Sequence, residues 1–326
     1  DGHFTANPSA YLAEGKVAVA STEAGYSYTV ADKETVGETE ITPAPDAAPV
    51  ADVTGIPEEE QDNVKNAIEN TTSSGLDAAA GTVAATEGKI TEDDVNEGLE
   101  KAKAANIVSD SATAEDIKLV VQPYMDITAT DYDAGAEQKT LEVVIQPKYN
   151  LLVVKEDTPA GGELITDPSV GTQNAAVIST DNPLPVGDTT RVTINFQLPA
   201  SFIDEGDMEN LYVVHTKENG TEETYKADVT KSGDIYTATF TTNGFSPFVF
   251  KVDNRTASVQ FTDKDSGNEG GVQNYTPANV GTALPTTEAP AGQRFSGWKF
   301  EGIEGTYTKL TEELLTKLAG KVGTVT

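Results

Sequence analysis

Residues able to carry nucleophilic or acid–base chemistry are scarce in this sequence, apart from carboxylates. Only two histidines occur, His3 and His215, and there is no cysteine. The lack of cysteine excludes disulfides, thiolate catalysis and Cys-ligated zinc. A Ser-His-Asp site would have to use one of the two histidines, and neither is accompanied by a Gly-x-Ser-x-Gly elbow. Because His215 lies in an alternating strand pattern, we expect it to have a structural or surface role.

Carboxylates are abundant, but they are spread along the whole chain. Asp and Glu number 53 against 22 Lys and Arg, which gives a formal net charge of −31. The electrostatic field of this negative charge repels nucleic acid and anionic membranes, and it leaves basic partners or cations as the favoured ligands. Paired carboxylates could hydrolyse glycosides. However, the one tryptophan, Trp298, is expected to pack in a core and not to form an aromatic surface on which a sugar could stack. We therefore predict no catalytic residue, no cofactor and no resident metal.

The residues from Arg191 to Val252 contain the clearest structural pattern. Short runs rich in Val, Ile, Thr, Tyr and Phe alternate with turn residues at roughly 8–12-residue spacing, which is typical of an antiparallel β-sandwich. The predicted strands are Arg191–Leu198, Leu211–His215, Tyr225–Val229, Ile235–Phe240 and Phe248–Val252. The low apolar content, 37%, favours several small β domains over one large core. No run reaches 18 apolar residues, so we predict no membrane insertion.

The first 107 residues divide into three segments. Residues 1–33 contain a strand pattern at Tyr26–Val30, and residues 34–55 contain Thr42-Pro-Ala-Pro-Asp-Ala-Ala-Pro49, which predicts a semi-rigid linker. Residues 56–107 predict three helices with thin apolar stripes. The third helix begins at a capping box, Thr91-Glu-Asp-Asp94. We expect these helices to pack on the sandwich, although a partner-binding bundle is the alternative.

The sandwich is predicted to span residues 108–252. Leu119–Ile127 and Val143–Leu151 each place Gln-Pro after an apolar run, so they are candidate neighbours in a sheet. Pro123 and Pro147 lack an N–H donor, and we expect each at an edge, bend or bulge.

Three motifs of this region resemble multidomain surface proteins of gut-type Gram-positive (clostridial-type) bacteria: Leu198-Pro-Ala-Ser-Phe, Leu211-Tyr-Val-Val-His-Thr and Asn243-Gly-Phe-Ser-Pro-Phe. The resemblance implies an Ig-like sandwich preceded by a helical segment, and it carries no catalytic residue. Residues 1–33 resemble the closing coil of a β-solenoid in the same class, and such a coil must pack on a neighbour. Proteins of this class can carry Lys–Asn isopeptide crosslinks, for which Lys118 and Lys155 are the candidates.

Residues 253–326 form a second recognisable unit. Its pattern of Gly292, Phe295, Gly297 and Trp298 resembles the Listeria–Bacteroides (internalin B-type) repeat, a small β-grasp-like module. We predict that Phe and Trp fill the core, and that a helix lies over Thr311–Leu318. Asp263–Gly271 begins like a calcium loop, but glycine occupies the fifth position, so we expect an acidic hairpin.

The resulting hypothesis is a non-enzymatic fragment of a bacterial cell-surface protein, an adhesin or scaffold outside the cell that binds host protein or glycan ligands. The chain begins and ends as if cut from a longer polypeptide, so export and anchoring signals are expected outside it. Two alternatives stay open. One is a surface antigen that binds a host protein such as immunoglobulin through residues 56–107, and the other is an accessory module of a secreted carbohydrate-active enzyme.

Overall fold

A computed structural model describes residues 2–135, 138–159, 161–217, 220–245, 247–262, 269–286, 288, 291–292, 294–319 and 322–325. Strands hold 42% of the chain and helices 19%, which confirms the prediction of a mainly β protein with several antiparallel sheets. No described helix is long and apolar enough to cross a membrane.

The strands follow one another along the chain as β1 (Lys16–Ala20), β2 (Tyr28–Asp32), β3 (Thr35–Val36), β4 (Thr39–Pro43), β5 (Val50–Asp52), β6 (Thr72–Ser74), β7 (Ile117–Ala134), β8 (Gln138–Lys155), β9 (Ala175–Pro183), β10 (Val192–Leu198), β11 (Leu211–Thr216), β12 (Glu222–Lys226), β13 (Asp228–Ser232), β14 (Ile235–Thr242), β15 (Pro247–Asp253), β16 (Ala257–Thr262), β17 (Glu269–Tyr275), β18 (Trp298–Phe300), β19 (Ile303–Tyr307) and β20 (Val322–Val325). The helices are α1 (Glu58–Glu69), α2 (Leu76–Ala84), α3 (Glu92–Ala104) and α4 (Glu312–Leu318).

The chain separates into two compact units. The first, called here the large unit, comprises Asp1–Asp133, Thr140–Met208 and Tyr212–Phe250. The second, the small unit, comprises Ala134–Lys139, Glu209–Leu211 and Lys251–Thr326.

Two sheets face each other in the large unit. One has four strands in the order β13-β14-β10-β6, and the other has nine strands that include β12-β11-β15-β8-β7-β4-β3. Rings from both sheets meet between them: Phe196 of β10 lies 4.3 Å from Phe250 of β15, measured between ring centroids, and Phe240 of β14 lies 5.6 Å from Phe248. These contacts are consistent with a β-sandwich, because side chains from two inner sheet faces interdigitate there.

The predicted strand over Tyr225–Val229 is wrong. The structure divides it into β12, which pairs with β11, and β13, which pairs with β14. The buried Ala227 lies between them, where the chain passes from one sheet to the other. Alternation of apolar residues continues across this crossing, so the pattern gave no sign of it.

The two proline-containing strands are neighbours in the nine-stranded sheet, as predicted. On one side of β7, β4 pairs with residues Lys118–Val121 and β5 pairs with Asp126–Thr128, and Pro123 falls between these two ladders. Pro147 of β8 lies just beyond the ladder with β9, which begins at Lys148. Neither proline therefore falls within the ladders that β7 forms with β4 and β5 or that β8 forms with β9.

The segment predicted as a linker, residues 34–55, is part of the nine-stranded sheet. It contains β3, β4 and β5, and the last two pair in parallel with β7. Backbone hydrogen bonds from Ala44 to Val121 and from Ala47 to Pro123 hold the intervening turn on the sheet. Prolines are tolerated on short edge strands, so a proline-rich composition does not require a free spacer.

The three predicted helices are present, and they pack on the sheets. The capping box forms as expected, because the Asp94 carboxylate accepts a hydrogen bond from the Thr91 backbone N–H and the Thr91 hydroxyl accepts one from the Asp94 backbone N–H. In α3, Gly98 lies so close to Ile178 and Leu119 that an added Cβ would come within 2.9 Å and 3.1 Å of their side chains. The hairpin β1-β2 packs on α2 through Ala18, Tyr28 and Ala78.

Replacing Gly81 with alanine is expected to destabilise the large unit by about 1–3 kcal/mol. Alanine is the better helix former, but its Cβ would lie 1.9 Å from the carbonyl oxygen of Ala18, which is backbone and cannot move aside cheaply. Thermal unfolding followed by circular dichroism measures the effect. The control is Gly187→Ala, where the space is open. Equal stability of the two variants would show that β1 does not pack on α2 this closely.

In the small unit, β16 pairs with β17 and β20, and β18 pairs with β19. Its core contains Phe261, Trp298 and Phe300, and Phe295 packs against this core, as predicted for the two aromatic residues of the repeat-like motif. The predicted helix is α4, whose buried residues are Leu314, Leu315 and Leu318. Of the predicted acidic hairpin, Asp263–Gly271, residues 263–268 lie outside the described residues.

Candidate functional site

His215 is a core residue, which is the structural one of the two roles expected from its strand pattern. It is 1% exposed, and its ring stacks on Phe248 with 4.4 Å between the centroids. Burial lowers the pKa of His215, which favours the neutral form of the ring. This arrangement gives His215 a packing role between the sheets.

His3 lies between a serine and a carboxylate. Its Nδ1 is 3.1 Å from the Ser21 hydroxyl, and its Nε2 is 3.1 Å from Glu23 Oε2. This is the residue set of a hydrolase triad, and sequence reasoning missed it because no motif joins positions 3, 21 and 23. However, Ser21 is 1% exposed, and its hydroxyl accepts a hydrogen bond from the Glu23 backbone N–H. A nucleophile must be reachable by its substrate, so the trio is better explained as the closure of a turn.

A fluorophosphonate probe is expected to leave the chain unlabelled, because the Ser21 hydroxyl is shielded. Intact-mass measurement after incubation at neutral pH detects a single adduct. The Ser21→Ala variant is the control for any labelling elsewhere. An adduct on the wild type that is absent from Ser21→Ala would make this trio an active site.

A polar cleft in the large unit is the more substantial feature, and Asp46 lies at its base. The turn between β4 and β5 carries Asp46 to the start of α2, where its carboxylate accepts hydrogen bonds from the backbone N–H groups of Leu76 and Asp77 at 3.3 Å and 2.9 Å. The Ser73 hydroxyl donates a third hydrogen bond at 2.8 Å. Asp46 therefore caps α2, whose N-cap residue is Gly75 and has no side chain of its own to do so.

Gly75 is required at this point of the cleft. Its φ is +111°, and an added Cβ would lie 2.5 Å from the carbonyl oxygen of Arg191. The glycine thus allows β6 and the start of α2 to approach the beginning of β10 closely.

Asp77 is the second carboxylate of the cleft. The Tyr28 hydroxyl donates a hydrogen bond to Asp77 Oδ1 at 2.7 Å, and the Asn7 side-chain amide donates one to Oδ2. These contacts tie the N-terminal hairpin to α2. Burial and the neighbouring Asp77 both raise the pKa of Tyr28, so the hydroxyl stays protonated as a donor.

The pKa of Asp46 is raised to about 6. Burial is the main cause, and the charge of Asp77 adds to it, whereas the hydrogen bonds from Ser73, Leu76 and Asp77 act in the opposite direction. Asp46 is therefore a carboxyl group that gains or loses its proton near neutral pH.

The cleft encloses about 590 Å³. One wall is the N-terminal hairpin, and the other is the edge of the four-stranded sheet, which contributes Arg191, Thr193 and Thr241. A smaller cavity of about 220 Å³ adjoins it and shares Asn7, Pro45 and Asp77. The combined cleft has the size of a small-molecule site.

Sequence reasoning did not find this cleft. Asp46 lies in the segment predicted as a linker, and the sequence pattern around Arg191 predicts only the start of a strand. One signal was available: α2 has good helix-forming residues but begins after a glycine, and a helix without a local cap often takes one from elsewhere in the chain.

The lysines predicted for isopeptide crosslinks do not lie in an apolar core. Lys155 pairs with Asp157 at 2.9 Å, and the two side chains are 54% and 67% exposed. The hydrogen bond from Lys155 lowers the pKa of Asp157, and the charge of Lys118 contributes to this shift. Both lysines therefore lie near an exposed carboxylate, which is not the environment that such a crosslink needs.

Within the described part of the chain, no group of three or more His, Asp or Glu side chains is arranged to hold a metal ion. The comparisons with known proteins give no match: no protein family, no curated protein and no solved structure is significantly similar to this chain.

Proposed function

We propose that this chain is a non-enzymatic binding and scaffold fragment of a bacterial cell-surface protein, located outside the cell. The observation that carries the proposal is the polar cleft, which is built from three separate parts of the large unit and lined by residues from each. The surrounding sheets have cores filled by aromatic side chains, and they would hold the cleft rigidly. The motifs that resemble surface proteins support a location outside the cell. The Ig-like and β-grasp-like folds that this resemblance implies support it as well.

The packing of the helices in residues 56–107 weakens the first alternative, a host-protein binder that uses these residues. Residues 56–107 place Val64, Ile68 and Ala102 in the core, and Gly98 of α3 lies against the nine-stranded sheet. A host-protein binder that uses the apolar stripe of these helices as its contact surface would have to unfold them from the sheet. The second alternative, an accessory module of a carbohydrate-active enzyme, stays compatible with the cleft because such modules bind without performing chemistry.

The proposal is tested by displaying residues 1–326 on a non-adherent bacterium. Retention on an epithelial monolayer and on immobilised mucus is measured under flow. We expect more cells to be retained than with the display anchor alone. Equal retention on every surface would contradict the adhesive function.

A further inference from the structure

The register of the four-stranded sheet arranges polar side chains in rows beside the cleft. Thr193 of β10 is directly opposite Thr241 of β14 on one side and Ser74 of β6 on the other. Residues opposite one another lie on the same sheet face, so three hydroxyl groups form one row. The Thr193 and Thr241 hydroxyls are 3.0 Å apart.

A second row continues the polar face. Asn195 is opposite Thr239 and Thr72, and it is hydrogen-bonded to both side chains. The other face of β10 points into the sandwich, where Ile194 and Phe196 are completely buried. The four-stranded sheet therefore has an apolar inner face and an outer face of hydroxyl and amide groups that leads into the cleft.

The chemistry of the cleft argues against a metal ion as its ligand. Both oxygens of Asp77 accept hydrogen bonds, from Tyr28 and Asn7, and both oxygens of Asp46 accept bonds from protein donors. Calcium takes six to eight oxygen ligands, and carboxylates already occupied in this way cannot supply them without breaking these bonds.

The backbone of β10 beside the cleft is already paired on both sides. The backbone of Thr193 is within two ladders, since β10 is paired with both β6 and β14. An extended peptide could not add to β10 by strand pairing. Recognition along β10 must therefore use side chains.

We infer that the cleft and the adjoining polar face bind a neutral oligosaccharide. Sugar hydroxyls donate and accept hydrogen bonds at once, which matches a cleft whose lining includes the Arg191 guanidinium and the hydroxyls of Thr193 and Thr241. A neutral polyol also brings no charge of its own to be buried beside the carboxyl groups of Asp46 and Asp77. The inference specifies the ligand class of the proposed binding function and rests on it.

The test begins with a microarray of host and plant oligosaccharides, probed with the full chain in the presence and absence of EDTA. We expect retention of neutral glycans that is insensitive to EDTA. No retained glycan would overturn the inference, and so would retention that EDTA abolishes, because binding would then require a metal.

Variants then locate the site. The most strongly retained glycan is titrated by calorimetry against Thr193→Val, Thr241→Val and Arg191→Ala, each expected to bind about five- to tenfold more weakly, as for the loss of one hydrogen bond. Thr224→Val on β12 and Arg294→Ala in the small unit are matched controls that should bind like the wild type. Unchanged affinity of all three cleft variants would place the glycan elsewhere. Retention under flow without any glycan binding would refute only this inference and leave adhesion to a protein receptor intact.

Discussion

Replacing Arg255 with methionine is expected to destabilise the small unit by about 3–5 kcal/mol. Arg255 is 6% exposed and Asp253 is 2% exposed. The guanidinium donates from Nε to Asp253 Oδ1 at 2.7 Å and from Nη2 to Oδ2 at 2.5 Å, and it also contacts Glu312 at 2.7 Å. Without Arg255, the buried Asp253 carboxylate would lose its compensating charge.

Urea unfolding followed by tryptophan fluorescence measures this effect in the right unit, because the single tryptophan, Trp298, lies in the small unit's core. Arg294→Met, at an exposed position, is the control. The double variant Asp253→Leu with Arg255→Met is expected to regain most of the stability, since an apolar pair can replace a buried ion pair. A single variant as stable as the wild type, or a double variant no better than the single, would contradict this account.

The same pair gives the small unit a stability that depends on pH. Burial raises the pKa of Asp253, but the hydrogen bonds and charge of Arg255 more than offset this and hold the pKa below its usual value. The stabilisation is therefore present above the pKa of the unfolded carboxyl group, about 4, and it is lost as the pH falls through the lower folded pKa.

Asp46 is expected to have the opposite effect on the large unit. Its folded pKa of about 6 lies above the unfolded value, so folding disfavours the ionised form. Relative to Asp46→Asn, the wild type should lose about 2 kcal/mol of stability between pH 4 and pH 7, because most of the effect of a shift of about two pKa units falls within that range. Asparagine also removes part of the α2 cap, and this lowers the stability of Asp46→Asn by an amount that does not depend on pH.

Scanning calorimetry at several pH values measures this difference, and Trp298 fluorescence identifies the transition that belongs to the small unit. Asp52→Asn is the control, because Asp52 is exposed and the Thr54 backbone N–H lowers its pKa. A stability difference between wild type and Asp46→Asn that does not change with pH would mean that Asp46 titrates normally.

Local patterns predicted much of the fold. Alternation located β10, β11, β14 and β15, and the Thr91–Asp94 capping box located the start of α3. The Trp298 motif correctly predicted an aromatic core, since large rings in a small module have few other places to be buried.

Long-range geometry could not be predicted in the same way. Within residues 34–55, β4 and β5 pair with β7 across nearly eighty residues of sequence, as in the pair Glu40 and Lys118, and proline content describes only the local chain. The cleft depends on three segments that meet only in the folded unit, around Asn7, Asp46 and Arg191. No spacing within the sequence relates these residues to each other, so a contact between them could not be inferred.

Retention under flow of bacteria that display the cleft variants tests the central claim most directly. If the chain is an adhesive module that binds through its cleft, the wild type and Arg294→Ala should be retained equally on mucus, and Arg191→Ala together with Thr193→Val should be retained much less. Retention of the Arg191→Ala, Thr193→Val double variant at the wild-type level would contradict adhesion through the cleft. Failure of the wild type itself to be retained would contradict adhesion altogether.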